Sequence, residues 1–175
     1  MFTNPLENIE QLNLTPGMKV VDLGCGSGAY SFEISKIVGP EGSVIAIDVQ
    51  KDLLARVAND AQAKSLTNIE TVWADIEVYE GTHVRTGSCD AIVLSSILFQ
   101  VEDKETTLKE ARRVLKPGAK ILMVDWMDSF GGIGPEPKAV LTKEKALELI
   151  KLAGFSVEKE FDAGSHHYGI IAKAI

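Results

Sequence analysis

Short apolar runs alternate along the chain with longer segments in which apolar residues recur at helical spacing. The short runs predict five buried strands, at 20–23, 43–48, 68–75, 89–96 and 119–126. The segments between them predict helices over 29–38, 51–64, a stretch around 108–115, and one from the capping Thr142 to Gly154. Alternating strands and helices are typical of a parallel sheet with right-handed crossovers.

The C-terminal part of the chain has a different pattern. Two strand-like runs, 155–161 and 166–174, flank the residues Asp162 to Gly164, which predict a three-residue hairpin loop. The last strand should therefore be antiparallel. We predict one domain over 1–175, an α/β three-layer sandwich around a seven-stranded, mostly parallel, Rossmann-like sheet.

Composition narrows the classes of partner. The 175 residues carry a net charge of −7, which argues against a protein whose main partner is a nucleic-acid backbone. The longest apolar run, 91–99, is too short to cross a bilayer, and the sequence has no recognisable secretory signal. Cys25 and Cys89 lack the spacing of a metal site. We expect a cytoplasmic protein with no membrane insertion and no metal, and we leave a homodimer open.

The stretch VVDLGCGSGAY begins with the first predicted strand and contains, directly after it, Gly24, Gly26 and Gly28 at every second position. Glycine is used where the backbone needs a positive φ or where another group must approach the main chain. The first strand-to-helix turn of such a sheet faces the crevice where ligands bind. This pattern predicts a ligand-binding loop.

One interpretation of the loop is a dinucleotide site. Gly24, Gly26 and Ala29 satisfy the pattern G-x-G-x-x-G/A, and Asp48 lies about twenty residues further on, where a ribose-binding acid belongs. This interpretation makes the protein an NAD(P)-dependent Rossmann oxidoreductase.

Other features favour a different nucleoside-like cofactor. Asp22 stands two residues before the first glycine and can face a cationic ammonium group. Asp75 closes the third predicted strand, where it can accept a hydrogen bond from an adenine amino group. The sequence also lacks the Tyr-x-x-x-Lys pair, or the second domain, that a hydride-transferring enzyme would need.

These residues lie in a sequence that resembles the class I S-adenosylmethionine-dependent methyltransferases over nearly its whole length. The similar segments are PGMKVVDLGCGSG, SVIAIDVQ, WADIE, CDAIVLSSILFQVED and EARRVLKPGAKILMVD. In the family's pattern D/E-x-G-x-G-x-G, the matching residues are Asp22, Gly24, Gly26 and Gly28, with Cys25 between them. The resemblance implies that this loop holds the methionine end of the cofactor.

Further matches extend the implied site. Asp48, followed by Val49, matches the acid that binds both ribose hydroxyls. Asp75 and Ile76 match the adenine contacts, and Ser95 matches the start of the loop beside the transferred methyl group. The resemblance implies S-adenosylmethionine as cofactor and methyl transfer to a small-molecule acceptor by in-line displacement at the sulfonium. A catalytically silent S-adenosylmethionine-binding module is the other alternative.

The resemblance leaves the acceptor open. Many small-molecule members carry Asn and then His after the strand-four serine, whereas this chain has Ser96, Phe99 and Gln100 in the region. The N-terminal segment 1–16 holds one short predicted helix, from Asn4-Pro5 to about Leu12, which implies only a partial substrate lid. With Cys25 and Cys89 as its only cysteines, the chain is not expected to methylate a metalloid held by several thiolates.

Topology predicts where an acceptor would lie, because the loops after parallel strands open at one edge of the sheet. The residues that it places near the methyl group are Asp125, Trp126, Met127, Phe130, His166, His167 and Tyr168. Strand alternation would send His166 and Tyr168 to one face and His167 to the other. We predict that one histidine, together with Asp125, orients or deprotonates the acceptor, since histidine accepts a proton near neutral pH.

Overall fold

A computed structural model describes residues 3–175, which form a seven-stranded sheet between two layers of helices. The strands are β1 Lys19–Leu23, β2 Ser43–Asp48, β3 Ile69–Trp73, β4 Cys89–Ser95, β5 Leu115–Trp126, β6 Phe155–Gly164 and β7 His167–Ala174. Their order is β3-β2-β1-β4-β5-β7-β6, and β7 is antiparallel to both of its neighbours. The predicted sheet architecture is confirmed.

Helices cover both faces of the sheet. They are α1 Pro5–Glu10, α2 Ala29–Val38, α3 Lys51–Ala63, α4 Lys104–Val114 and α5 Lys143–Leu152, with a short 3-10 helix at Pro137–Ala139. On β1, Val20 packs in the cluster of Ile9 from α1, whereas its neighbour Val21 packs with Leu108 of α4 and Ile150 of α5. Burial on both faces explains why the central strands are continuously apolar.

Local side-chain chemistry sets where three of the helices begin. Asn4, Asp103 and Thr142 each accept the backbone N–H three residues further on, at the starts of α1, α4 and α5. No helix within residues 3–175 is both long and apolar enough to cross a membrane.

The predicted hairpin loop at Asp162 to Gly164 is wrong. These residues belong to β6, and the chain turns at Ser165 and His166 instead. The pairing with β7 continues through a register shift between Asp162 and Gly164, which absorbs Ala163. Ala163 is 3% exposed and packs with the α1–α2 side of the core, so its burial favours pairing over a loop.

Candidate active site

The carboxyl ends of the parallel strands meet at one edge of the sheet, where the chain forms a cleft of about 210 Å³. Five residues that the sequence predicted as cofactor contacts line this cleft: Gly24, Asp48, Val49, Asp75 and Ile76. The structure therefore brings together residues that are up to 52 positions apart in the sequence, Gly24 and Ile76.

The three glycines of the loop have separate roles. All are left-handed, with φ of +71° at Gly24, +51° at Gly26 and +79° at Gly28. A Cβ on Gly28 would lie 2.9 Å from Phe32 Cζ, and one on Gly24 would overlap the side chain of Ile97. A Cβ on Gly26 would meet no atom of the described residues within 4 Å. Only Gly26 therefore borders open space, as expected of a glycine against which a ligand lies.

Asp48, at the end of β2, joins that strand to the glycine loop. Its side chain is 6% exposed, and its Oδ2 accepts the N–H of Gly26 at 2.9 Å. Its Oδ1 accepts the N–H of Gln50, also at 2.9 Å. A carboxylate can accept about four hydrogen bonds, so each oxygen retains a lone pair. The arrangement fits the two hydroxyls of a ribose.

Asp22 lies beneath the loop, in the middle of the sheet, and is 2% exposed. Burial raises the pKa of its carboxyl group to about 6, against the hydrogen bonds from Ser31, and the negative charge of Asp48 acts in the same direction as burial. The Ser31 hydroxyl donates to Asp22 Oδ2 at 2.6 Å. Sequence reasoning did not find Ser31, although a serine on the buried face of an amphipathic helix is a signal that it needs a polar partner.

Asp75 does not close β3 as predicted, because that strand ends at Trp73. The indole N–H of Trp73 donates to the Val49 carbonyl at 2.9 Å, which fixes the chain after β2 beside the end of β3. Asp75 is exposed, and its Oδ1 accepts the N–H of Glu77 at 2.9 Å. Ile76 beside it is 6% exposed. One carboxylate oxygen thus shapes the turn, and the other can accept a hydrogen bond from a ligand.

Asp75→Ala is expected to weaken S-adenosylmethionine by about tenfold, the cost of one good hydrogen bond. The affinity for S-methylmethionine, which has the sulfonium but no adenine, should be unchanged. Calorimetry can measure the first ligand and NMR titration the weaker second one. Asp52→Ala, which removes an exposed acid of α3, is the control. An equal loss of affinity for both ligands would contradict the assignment of Asp75 to adenine.

Ser95, the remaining predicted cofactor residue, and the two cysteines have different environments. Ser95 is the half-buried last residue of β4. Cys25 is 8% exposed, and burial, followed by the charges of Asp22 and Asp48, raises the pKa of its thiol far above the usual range. Cys89 begins β4 at the opposite edge of the sheet, so the two sulfurs do not meet. Residues 3–175 contain no cluster of three or more His, Cys, Asp or Glu placed to hold a metal ion.

Asp125 and His167 are buried rather than open to an acceptor. Asp125 is 0% exposed, and its two oxygens accept the N–H groups of Trp126 at 2.8 Å and Phe99 at 3.0 Å. His167 is 2% exposed, and its ring lies 4.1 Å from that of Trp126. Neither side chain can contact an acceptor in this conformation.

His166 lies in the β6–β7 turn, so the predicted strand alternation with Tyr168 does not apply to it. Its Nδ1 is 2.8 Å from Asp128 Oδ1, and its ring stacks on Phe130 with centroids 4.2 Å apart. Tyr168 is buried, and its hydroxyl donates to the Leu141 carbonyl at 2.9 Å. The structure therefore pairs His166 with Asp128, a residue that sequence reasoning missed.

Comparison with known proteins gives consistent matches. A family model described as a methyltransferase domain matches residues 14–161. An arsenite methyltransferase of Aquipseudomonas alcaligenes is 34% identical over 117 residues, which are 64% of this chain and 34% of that protein. A demethylmenaquinone methyltransferase of Lactococcus lactis is 31% identical over 109 residues, 62% of this chain and 42% of that protein. The matched part thus spans less than half the length of these curated relatives.

A solved structure shows the same similarity over the whole fold. A SAM-dependent methyltransferase from Aquifex aeolicus superposes with a TM-score of 0.90 at 26% identity, covering 99% of this chain and 91% of that chain.

Proposed function

This chain belongs to the class I S-adenosylmethionine-dependent methyltransferases, and we propose that it transfers a methyl group from S-adenosylmethionine to a small-molecule acceptor. The observation that carries the proposal is the open space at Gly26, whose N–H donates to Asp48 in the wall of the cleft that Asp75 also lines. Bound S-adenosylmethionine supplies a methyl group that is already activated on a sulfonium. The chain's own contribution is then binding and alignment.

The residues present fit this cofactor. The main chain at Gly26 borders the space for the methionine portion, and Asp22 below it can attract the ammonium group. Asp48 offers two carboxylate oxygens to the ribose hydroxyls, and Asp75 offers one to the adenine amino group. Hydrogen bonds to charged acceptors are among the stronger ones, so this set favours an adenosyl ligand.

We place the acceptor beside the β6–β7 turn, where α1 and the end of β6 enclose a hollow of about 600 Å³. Met127 and Ser165 form part of its wall. Among the described residues that line it, the ionisable ones are Glu7 and Asp162, both acidic. This charge disfavours an anionic acceptor, so we propose a neutral or cationic small molecule.

Where the acceptor must lose a proton, we propose His166 as the group that receives it. Asp128 contacts Nδ1 with both carboxylate oxygens, at 2.8 and 3.0 Å, and therefore orients the ring. His167, packed against Trp126, is proposed to stabilise the hairpin instead.

His166→Ala is expected to lower turnover about 10²-fold, within the usual range for a lost acid–base group, while leaving cofactor affinity intact. Asp128→Asn should lower turnover less, because the ring loses only its orientation. His83→Asn is the matched control, since His83 is exposed and its φ of +58° is one that asparagine tolerates. Wild-type turnover in His166→Ala would show that the β6–β7 turn has a structural role and that His166 does not accept the proton.

The function itself is tested with a panel of neutral and cationic hydroxyl, amine and thiol acceptors, measured by release of S-adenosylhomocysteine. We expect turnover with members of the panel and none with matched carboxylates. S-adenosylmethionine binding without transfer to any acceptor would favour a silent binding module. Binding of NAD(P)H in place of S-adenosylmethionine would favour an oxidoreductase.

A further inference from the structure

A hydrogen bond links the end of β5 to one wall of the cofactor cleft. The N–H of Phe99 donates to Asp125 Oδ2 at 3.0 Å, although the two residues are 26 positions apart. We propose that Asp125 is a positioning residue, which holds the wall segment 97–101 in its binding-competent place. This inference rests on the proposed function, because it concerns the cleft that would hold the cofactor.

The sheet brings Asp125 to this position. Ser95, at the end of β4, pairs with Val124, and the N–H of Ser96 donates to the Val124 carbonyl at 2.8 Å. The next residue of β5 therefore lies directly beneath the chain that leaves β4. The second carboxylate oxygen of Asp125 accepts the N–H of Trp126 at 2.8 Å, which fixes the side chain in this direction.

The wall segment contacts the cleft through its side chains. Ile97, Gln100 and Val101 line it, and Ile97 covers Gly24 so closely that a Cβ there would overlap its Cδ1. A turn closes the segment, with the N–H of Gln100 donating to the Ile97 carbonyl at 3.0 Å. The bond to Asp125 ties this turn to the sheet from below.

The charge state of Asp125 sets the strength of its hydrogen bond with the wall segment. Burial raises the pKa of Asp125 to about 7, against the N–H groups of Trp126 and Phe99 and the charge of Lys104. A carboxylate accepts both N–H groups, whereas a carboxylic acid must point a proton toward one of its neighbours. Both hydrogen bonds to Asp125 are therefore formed above pH 7, and this connection between β5 and the wall segment weakens as the pH falls through 7. Cofactor affinity should rise between pH 6 and pH 8.

The effects of other titratable groups around Asp125 on cofactor affinity can be separated from the effect of Asp125 itself. Lys104 donates a hydrogen bond from its Nζ to the Val101 carbonyl at 2.6 Å, and its charge opposes the effect of burial on Asp125. Burial and the charges of Asp125 and Glu144 raise the pKa of Tyr168 further above neutrality, so its hydroxyl stays protonated. His167 pairs in the β5–β7 register with Trp126, the residue after Asp125, and therefore needs its own control.

Calorimetric titration with S-adenosylhomocysteine at pH 6, 7 and 8 tests the proposal. We expect Asp125→Asn to raise Kd about tenfold at pH 8, since one N–H loses its acceptor, and to remove the part of the pH dependence centred near 7. Asp60→Asn, on the exposed side of α3, should match the wild type. Any pH dependence of Kd that arises from Asp22, with its pKa of about 6, is common to the wild type and both variants.

The Phe99 amide resonance provides a second measurement on the wild-type protein. Its chemical shift should titrate with a midpoint near pH 7, and this midpoint should persist in His167→Asn. A Phe99 amide that does not titrate, or normal Kd and pH dependence in Asp125→Asn, overturns the inference while leaving the proposed function standing. Failure of the wild type to bind S-adenosylhomocysteine overturns both.

Discussion

Gly26→Val is expected to abolish measurable binding of S-adenosylmethionine, raising Kd by more than about 100-fold, or roughly 2.7 kcal/mol. The space that a side chain would enter at Gly26 is open, with no atom of residues 3–175 within 4 Å of a Cβ. A Cβ there would not clash with these residues. It would occupy the volume assigned to the methionine portion of the cofactor.

Gly87→Val is the matched control for this experiment. Gly87 has φ of +61°, close to the +51° of Gly26, and within the part of the chain that the structure describes a Cβ on it also meets nothing within 4 Å. Both variants bear the cost of a left-handed valine, about 1–2 kcal/mol. Gly87 precedes β4 and so lies at the opposite edge of the sheet. Calorimetry should show wild-type affinity in Gly87→Val, and wild-type affinity in Gly26→Val would reduce the loop to a simple turn.

Asp48→Ala is expected to weaken S-adenosylmethionine by about 2–4 kcal/mol, built from roughly 1.5–3 kcal/mol for a charged hydrogen bond. Two effects add in this variant. The ribose hydroxyls lose their acceptors, and the N–H groups of Gly26 and Gln50 lose the carboxylate that holds the loop against β2.

The comparison of Asp48→Ala with Asp52→Ala separates ligand contact from a general effect of charge. Asp52 is an exposed acid in the first turn of α3, so its removal changes the net charge equally. Calorimetry on both variants, with thermal unfolding as a check on the fold, gives the difference in binding free energy. Unchanged affinity in a folded Asp48→Ala protein would remove Asp48 from the ribose site.

Five of the residues that line the proposed cofactor cleft could be identified from the sequence, because their positions follow from the topology of the sheet. Parallel strands end at one edge of the sheet, so Asp48 and the glycine loop had to lie near each other once the strands were identified. Asp75 reaches the same cleft even though β3 ends two residues earlier than predicted, at Trp73. A residue that follows a strand still lies at the same edge of the sheet when the predicted end of the strand is wrong by two positions.

The acceptor side could not be predicted in the same way, because its contacts depend on register and packing. A bulge at Ala163 moved the turn to Ser165 and His166, which took His166 out of the strand and brought it to Asp128. The burial of Asp125 depends on the chain that passes over it at Phe99, a contact with no local sequence pattern. The same holds for the bond from Ser31 to Asp22.

The most direct test of the central claim is a crystal structure of the protein with S-adenosylhomocysteine. We expect the ligand to lie along the glycine loop, with its amino-acid portion against Gly26, its ribose hydroxyls on Asp48 and its adenine beside Asp75 and Ile76. Ligand density at any other place, or contacts to the loop that leave Gly26 and Asp48 untouched, would contradict it.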